Sequence, residues 1–379
     1  VKERRLLKRL IACTLFATLL GYDCSGQTDG FQTVAPGIEH LKMTRRSEAS
    51  GPWQINLLRI DLRSVGVRLV HAMDEAVGLE ATSSMARRYK ATAAVNAGFF
   101  KVAGVYRGDP AGVLVVEGKL LSEPTDDRAA VGFINRDGKT QVLMGHLKFS
   151  GAIKTHRGRS RAVDGINRER GADELIVFTP EFHRTTLSAP DGIEIIVRRG
   201  RIVERRDGKG SSAIPSDGYV ISASGKAREW AVENLTTGAR AQLVAAIEST
   251  EQRGSWNEAI CIVGGGPQLI REGRVEITAE REGIRPAFVS DRHPRTAIAS
   301  LGEGKILIVT VDGRQPSLSV GMSLAELAQL LLEFGARDAI NLDGGGSTTM
   351  VIDGRVVNSP SDQTGERMVS DAILFFPGK

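Results

Sequence analysis

Residues 306–347 read ILIVTVDGRQPSLSVGMSLAELAQLLLEFGARDAINLDGGGS, and this stretch decides the fold class. Its apolar start, Ile306–Val311, has the length and β-branched content of a buried strand. Ser323 is a good N-cap, and Glu326 three residues on completes a capping box. Leu324, Leu327, Ala328, Leu331 and Leu332 then recur at helical spacing and form one apolar stripe, which Gly335 stops. A second apolar strand follows at Ala339–Leu342. Strand, helix and strand with short links predict two parallel strands and a right-handed crossover.

Each strand ends in an aspartate followed by glycine, Asp312-Gly313 and Asp343-Gly344. Parallel strands put both carboxylates at one carboxyl edge, where open α/β sheets usually bind ligands. Thr296–Leu301 and Ile306–Val311 flank Gly302-Glu303-Gly304, so a hairpin brings Arg295 opposite Asp312, give or take two residues. Thr348–Ile352 and Arg355–Val357 flank Asp353-Gly354, which returns Asn358 to the level of the Gly344 to Ser347 turn. One rim therefore gathers Arg295, Asp312, Arg314, Asp343, Gly344, Gly345, Gly346, Ser347 and Asn358. His293 lies two residues from Arg295 and can reach it.

Such a rim suits a phosphorylated ligand. Three glycines after a strand expose backbone N–H groups as an anion-binding concavity. Arginine adds a fork for phosphate oxygens. Two carboxylates supply base or nucleophile chemistry at an acetal carbon. A lone Asp-Gly is usually only a tight turn with Asp bonded to its own backbone. The clustering of these groups favours a site.

Composition narrows the alternatives. The 379 residues are 41% hydrophobic and 25% charged, which excludes whole-chain disorder and predicts more than one packed unit. Glycine is abundant, at 43 residues, and Asp-Gly pairs recur between β-rich runs, as in hairpins. Further strands are expected at Val67–Ala72, Gly112–Val116, Leu175–Phe178, Gly192–Val197, Ala259–Val263 and Ala372–Phe376. Helices are expected at Ser83–Tyr89 and Gly238–Ile247. The expected class is α+β, with β-rich mixed sheets, hairpins, a few helices and one strand-helix-strand unit near the C-terminus. The expected divisions are a β-rich part at 31–145, a middle β-rich subdomain at 146–258 and a catalytic part at 259–376.

The net charge is +5, and residues 1–26 carry five basic and two acidic groups. The remainder is too nearly balanced to leave an electrostatic footprint for nucleic acid. A cationic stretch to Arg9, an apolar run from Leu10 to Leu20 and a polar exit read as a secretory signal over 1–26, so an extracytoplasmic location is expected. No other segment is apolar enough to span a membrane. Of three cysteines, Cys13 and Cys24 fall in the signal region, and Cys261 reads as a small buried hydrophobe. No Gly-x-x-x-x-Gly-Lys-Ser/Thr or Gly-x-Ser-x-Gly occurs, and the six histidines lack zinc spacing. No cofactor or catalytic metal is expected, and a structural Ca²⁺ on loop carboxylates stays open.

The residues also resemble the phosphodiester glycosidases, or domain of unknown function 2233 family, in its bacterial branch. The matching stretches are Asn96-Ala97-Gly98-Phe99-Phe100, Gly264-Gly265-Gly266-Pro267, His293-Pro294-Arg295-Thr296-Ala297 and Val311-Asp312-Gly313-Arg314. Most specific is residues 341–350, NLDGGGSTTM, followed by Asn358-Ser359-Pro360-Ser361-Asp362 and Gly365-Glu366-Arg367. Ala97 departs from the family's usual glycine. The resemblance implies hydrolysis of a carbohydrate-phosphate substrate, a sugar-1-phosphate diester, at the C1–O bond. It implies Asp343, Asp312, Arg295 and Asn96 as catalytic residues. Gly344, Gly345, Gly346, Ser347, Thr348, Arg314, Asn358, Arg367 and His293 are then substrate-binding. Two other readings compete: a phosphodiesterase cleaving P–O, which normally wants two metals, and a non-catalytic glycan-binding envelope protein.

Overall fold

The computed structural model describes residues 30–47, 51–74, 77–125, 127–156, 158–251 and 255–378. The expected signal at 1–26, with Cys13 and Cys24, lies outside the described residues.

The capping box forms as its sequence dictates. Glu326 N–H donates to Ser323 Oγ, Ser323 N–H donates to the Glu326 carboxylate, and the helix Leu324–Glu333 follows. Its stripe of Leu324, Leu327, Ala328 and Leu331 packs on Ile55, Leu57, Ala297, Ala299, Leu307 and Val309. Those residues form the outer face of an eight-stranded sheet. Its order is Gln32–Ala35, Ile38–Ser47, Gly51–Asp61, Lys305–Val311, Arg295–Gly302, Asp338–Asn341, Gln268–Arg271 and Arg274–Val275. The two strands joined by the helix are parallel, because both run antiparallel to Arg295–Gly302 between them. The hairpin pairs Arg295 with Val311, one residue from Asp312.

Side chains alternate along a strand, so the intervening Leu58, Ile60, Ile298, Ile306, Ile308 and Ile340 face the opposite way. They form the central core with Leu69, Val95, Ile373 and Phe375 of a second sheet. That sheet runs Arg355–Val356, Met350–Ile352, Ala93–Asn96, Asp371–Pro377, Val65–His71. Its outer face, Val70, Ala94, Val351, Ala372 and Leu374, packs on Met85 and Ala86 of the helix Thr82–Tyr89. The layers are helix, sheet, sheet, helix, and the dry interior lies between the sheets.

Two further large sheets, and a two-stranded pairing of Glu80–Ala81 with Met368–Val369, complete the β-rich α+β fold. A five-stranded sheet with Leu175–Phe178, Gly218–Ala223 and Ile193–Arg198 at its centre has a core of its own, under the helix Gly225–Asn234. A seven-stranded sheet is built on the long strand Lys139–Thr155, which runs without a break through positions 145 and 146.

One expected helix is a strand. Ala241–Ser249, overlapping the Gly238–Ile247 stretch, pairs antiparallel with the long strand from Leu147↔Ser249 to Thr155↔Ala241. Its alanines favour a helix locally, but a partner strand long enough to take the whole segment outweighs that small preference. The helix Gly225–Asn234 gave little warning, since only Ala227 and Ala231 of it are buried. Cys261 is buried as expected, and burial pushes its thiol up to about 12. Among the described residues no helix is long and apolar enough to cross a membrane.

Candidate functional site

Asn96 ends the central strand of the second sheet, and its amide stitches that sheet to the first. Asn96 Nδ2 donates to the Asp343 carbonyl at 2.6 Å, and Asn96 Oδ1 accepts from Thr296 Oγ1 and Thr349 N–H, each at 3.0 Å. Asp343 N–H donates to Ala97 O at 2.9 Å. Both main-chain groups of Asp343 are thus clamped to the facing sheet, which aims its side chain. Asn96 is 1% exposed, and it orients Asp343 through the backbone rather than through the carboxylate.

The Asp343 carboxyl is not neutralised in the same way. The residue stays half-buried, and desolvation pushes its pKa up to about 7. The Ser347 hydroxyl and the Arg367 charge oppose the shift, while the Asp371 charge adds to it. Ser347 Oγ is buried beside it without a hydrogen bond of normal geometry among the described residues. Asp371, 1% exposed, accepts from Gly98 N–H at 2.6 Å and from Ser370 Oγ, and burial raises its pKa as well. Sequence reasoning missed Asp371. Its signal was its place at the head of the last strand, one residue before Ala372, which pairs with Asn96.

Asp312 shares the rim but is spent on it. It is 2% exposed and accepts from Asn358 Nδ2 and Ser359 N–H, each at 3.0 Å. Asn358 also donates to Thr348 O at 3.0 Å and accepts from Met350 N–H at 2.8 Å. These two residues tie the loop after the 350–356 hairpin to the end of strand 305–311. Burial raises the Asp312 pKa, against the Asn358 and Ser359 bonds.

Arg295 sits differently from the sequence expectation. Strand alternation turns its side chain to the helix face, away from Thr296 and Asn96. Its guanidinium donates to the carbonyls of Met322 (2.8 Å), Phe288 (2.8 Å) and Asp291 (2.7 Å) and lies 4.9 Å from the Phe288 ring centre. At 1% exposure, with Nε and Nη2 both engaged by main-chain carbonyls, the fork is turned away from the rim, and burial pulls its pKa down to about 10. Arg314 is the opposite case. It is exposed, has φ of 60°, and makes no hydrogen bond or ion pair among the described residues. His293 stands near both arginines, which with burial lower its pKa, and its buried Nδ1 has no partner there.

The glycine turn is a cradle only in part. Gly345 has φ of 59°, and its N–H already donates to Pro294 O at 2.9 Å. A Cβ on Gly344 would stand 2.6 Å from Pro294 O, one on Gly345 3.0 Å from Arg314 Nη2, and one on Gly346 against Arg367 and Asp362. The run is therefore glycine because two arginines and a neighbouring strand close over it. Arg367 holds Asp362 through two bonds of 2.7 and 2.9 Å. Thr348 is buried, its hydroxyl 3.4 Å from that of Thr296. A groove of about 420 Å³ walled by Phe100, Val102, Arg107, Asp362, Arg367 and Met368 leads away from Gly346. Among the described residues no cluster of three or more His, Cys, Asp or Glu is placed to hold a metal ion. The Asp343 carboxyl, raised to about 7, and the Arg314 guanidinium, which stands against Gly345 without a partner among the described residues, can move a proton and receive a departing anion.

A family model described as phosphodiester glycosidase matches residues 191–376. The mouse N-acetylglucosamine-1-phosphodiester alpha-N-acetylglucosaminidase is 28% identical over 185 residues, covering 46% of this chain and 34% of that protein. The chain thus spans about a third of the length of this curated relative. A hypothetical protein from Synechocystis superposes with a TM-score of 0.78 at 26% identity, over 90% of this chain and 62% of that one. A Burkholderia pseudomallei protein whose name marks it as exported gives 0.76 at 27%, over 86% and 74%. The family match starts after Asn96 and Gly98, yet sheet pairing places both beside Asp343 and Asp371.

Proposed function

Residues 191–376 belong to the phosphodiester glycosidase family, and on that premise we propose that the chain hydrolyses the C1–O bond of a sugar-1-phosphate diester, releasing free sugar and a phosphomonoester. The observation that carries this reading is the Asp343 carboxyl, clamped through its backbone and raised to about 7. As a base it takes the proton of a water attacking C1; as a nucleophile it attacks C1 itself, and water then hydrolyses the glycosyl ester, freeing the sugar and restoring the carboxyl group. In either case the C1–O electron pair leaves with the phosphate, which is already a good leaving group and needs little general-acid help. Arg314, exposed above Gly345, and Arg367, beside Gly346, are the cations offered to it. Asn96 and Asp312 act as positioning residues, the first on Asp343 and the second on the 358–359 loop. We assign Arg295 the same kind of role, holding the 288–291 and 322 carbonyls together.

The substrate belongs to glycans outside the cytoplasm, in keeping with the N-terminal sequence and with the name of the Burkholderia relative. The test is product analysis on a panel of α-linked sugar-1-phosphodiesters. Run in ¹⁸O-labelled water, label on the sugar C1 hydroxyl supports C–O cleavage; label in the phosphomonoester, or sugar-1-phosphate with a released alcohol, shows P–O cleavage. Asp343→Asn that keeps binding and loses turnover supports an enzyme over a glycan-binding protein, and unchanged turnover would defeat the assignment.

A further inference from the structure

We infer that the hollow between Phe99 and Phe288 is a subsite for a sugar residue bearing an oxyanion. The proposal deepens the reading above by naming a substrate class, and it rests on that reading. The hollow has a volume of about 170 Å³ and is lined by Phe99, Arg128, Gly283, Ile284, Arg285 and Phe288. The two rings meet edge-on, with centres 6.2 Å apart at 64°. The place adjoins the site through Phe99. Phe99 follows Gly98, whose N–H holds Asp371, and Phe288 carries the Arg295 guanidinium.

Its charge is unbalanced. Among the described residues neither the Arg128 nor the Arg285 side chain has a hydrogen-bonded or carboxylate partner, and Arg128 Nε is buried without one. The nearest acids in sequence are committed elsewhere: Asp127 to Arg281 at 2.8 Å and Glu282 to His146 at 3.0 Å. The walls are fixed by Glu282 on one side and by the main chain on the other. Ala129 N–H donates to Glu282 at 3.1 Å, and Ile284 N–H to Ala279 O at 2.8 Å, so both arginines spring from held backbone. A buried guanidinium nitrogen left without a partner costs stability unless something binds it. Aromatic edges accept the apolar faces of a ring, and guanidinium forks fit a carboxylate, sulfate or phosphate on it. The volume admits one ring, not a chain.

The experiment measures equilibrium binding of methyl glucuronide, a methyl 6-sulfated hexoside and methyl glucoside to the full chain by calorimetry, with turnover of the matching 1-phosphodiesters alongside. At least one anionic sugar should bind about tenfold tighter than the neutral one, the worth of a charge-assisted fork. Arg128→Gln should abolish that preference while leaving neutral binding unchanged, and the exposed Arg285→Gln should reduce it even if the first variant does not fold. Which anion gains tells whether the hollow takes a carboxylate or a sulfate. Equal binding of all three sugars, binding of none, or a preference that survives both substitutions overturns the proposal. If anionic sugars bind selectively but no phosphodiester is hydrolysed, the glycosidase reading fails and the subsite stands. If neutral phosphodiesters are hydrolysed as well as anionic ones, the reverse holds.

Discussion

Asp343 and Glu282 are both carboxylates withdrawn from water, and their surroundings differ in one respect. Glu282 is 0% exposed and every direction around it is filled. Gln268 N–H (2.9 Å), Thr278 Oγ1 and His146 Nε2 (3.0 Å) reach one oxygen, and Ala129 N–H (3.1 Å) the other. His146 in turn reaches Glu251, which Arg271 and Arg281 hold. That network joins the 129, 146, 251, 268 and 278 segments and spends all its capacity doing so. Asp343 has a fully bonded backbone and an undersupplied carboxyl. A buried acid with all its partners stabilises one fold; an acid with its frame fixed and its charge unmet keeps chemistry in reserve.

The largest effects come from exchanging the two roles. Asp343→Asn should lower kcat by about 10²- to 10⁴-fold, the usual worth of a positioned proton-transfer group, with the urea midpoint unchanged or higher. Glu282→Gln should cost about 3–5 kcal/mol, as when one partner of a buried charged network is removed, with turnover per folded molecule retained. Equilibrium unfolding and active-site-normalised kinetics read both, and a Glu282→Gln protein that is stable but inactive would erase the comparison.

Next are the arginines. Arg314→Ala should lose about 1.5–3 kcal/mol of transition-state stabilisation, or roughly 10- to 150-fold in kcat/KM, on phosphodiesters. A neutral aryl glycoside should lose far less. Arg295→Lys gives up a planar fork that serves three carbonyls, so it should lower thermal stability and affect both substrates alike. A selective loss on the phosphodiester with Arg295→Lys would return the phosphate to Arg295.

The pH dependence is smaller but carries a definite sign. Desolvation holds the Asp343 pKa above its ordinary 3.8, at about 7. The folded chain therefore binds that proton more tightly than the unfolded chain. Its contribution to stability is full below 3.8 and falls as pH rises through about 7. Asp343→Asn should remove this decline in urea midpoints. The kcat/KM of the unmodified chain should rise over the same range, because only the ionised carboxylate acts. The smallest expected effect is Gly345→Ala. A Cβ at φ of 59° costs about 1–2 kcal/mol and crowds Arg314, so a modest rise in KM should accompany a small drop in melting temperature.

Much of this was legible in the sequence. The capping box, the leucine stripe and the two Asp-Gly strand ends are local patterns, and the structure contains them at the expected residues. The 353–354 hairpin and the return of Asn358 are equally local, since loop length and side-chain alternation set them. The assignment of Arg295 to a position beside Asp312 was also right in register. What it could not settle was the face, because the rim has two sides and a one-residue step reverses a side chain.

The sequence by itself determined the elements, the carboxyl edge and the residue types gathered there, because each follows from periodicity and turn chemistry within a few tens of residues. Only the tertiary structure decided which of them keep a free valence. Asp371 and Asn96 come to Asp343 from a different sheet, more than 240 positions away in the case of Asn96. The strand at 241–249 took its form from a distant partner rather than from its own alanines. Asp312 and Arg295 found their partners in the chain, and Arg314 has none among the described residues. Hydrogen-bond satisfaction is a property of the packed whole, since every buried donor and acceptor competes for the same few neighbours, and no local pattern records who wins.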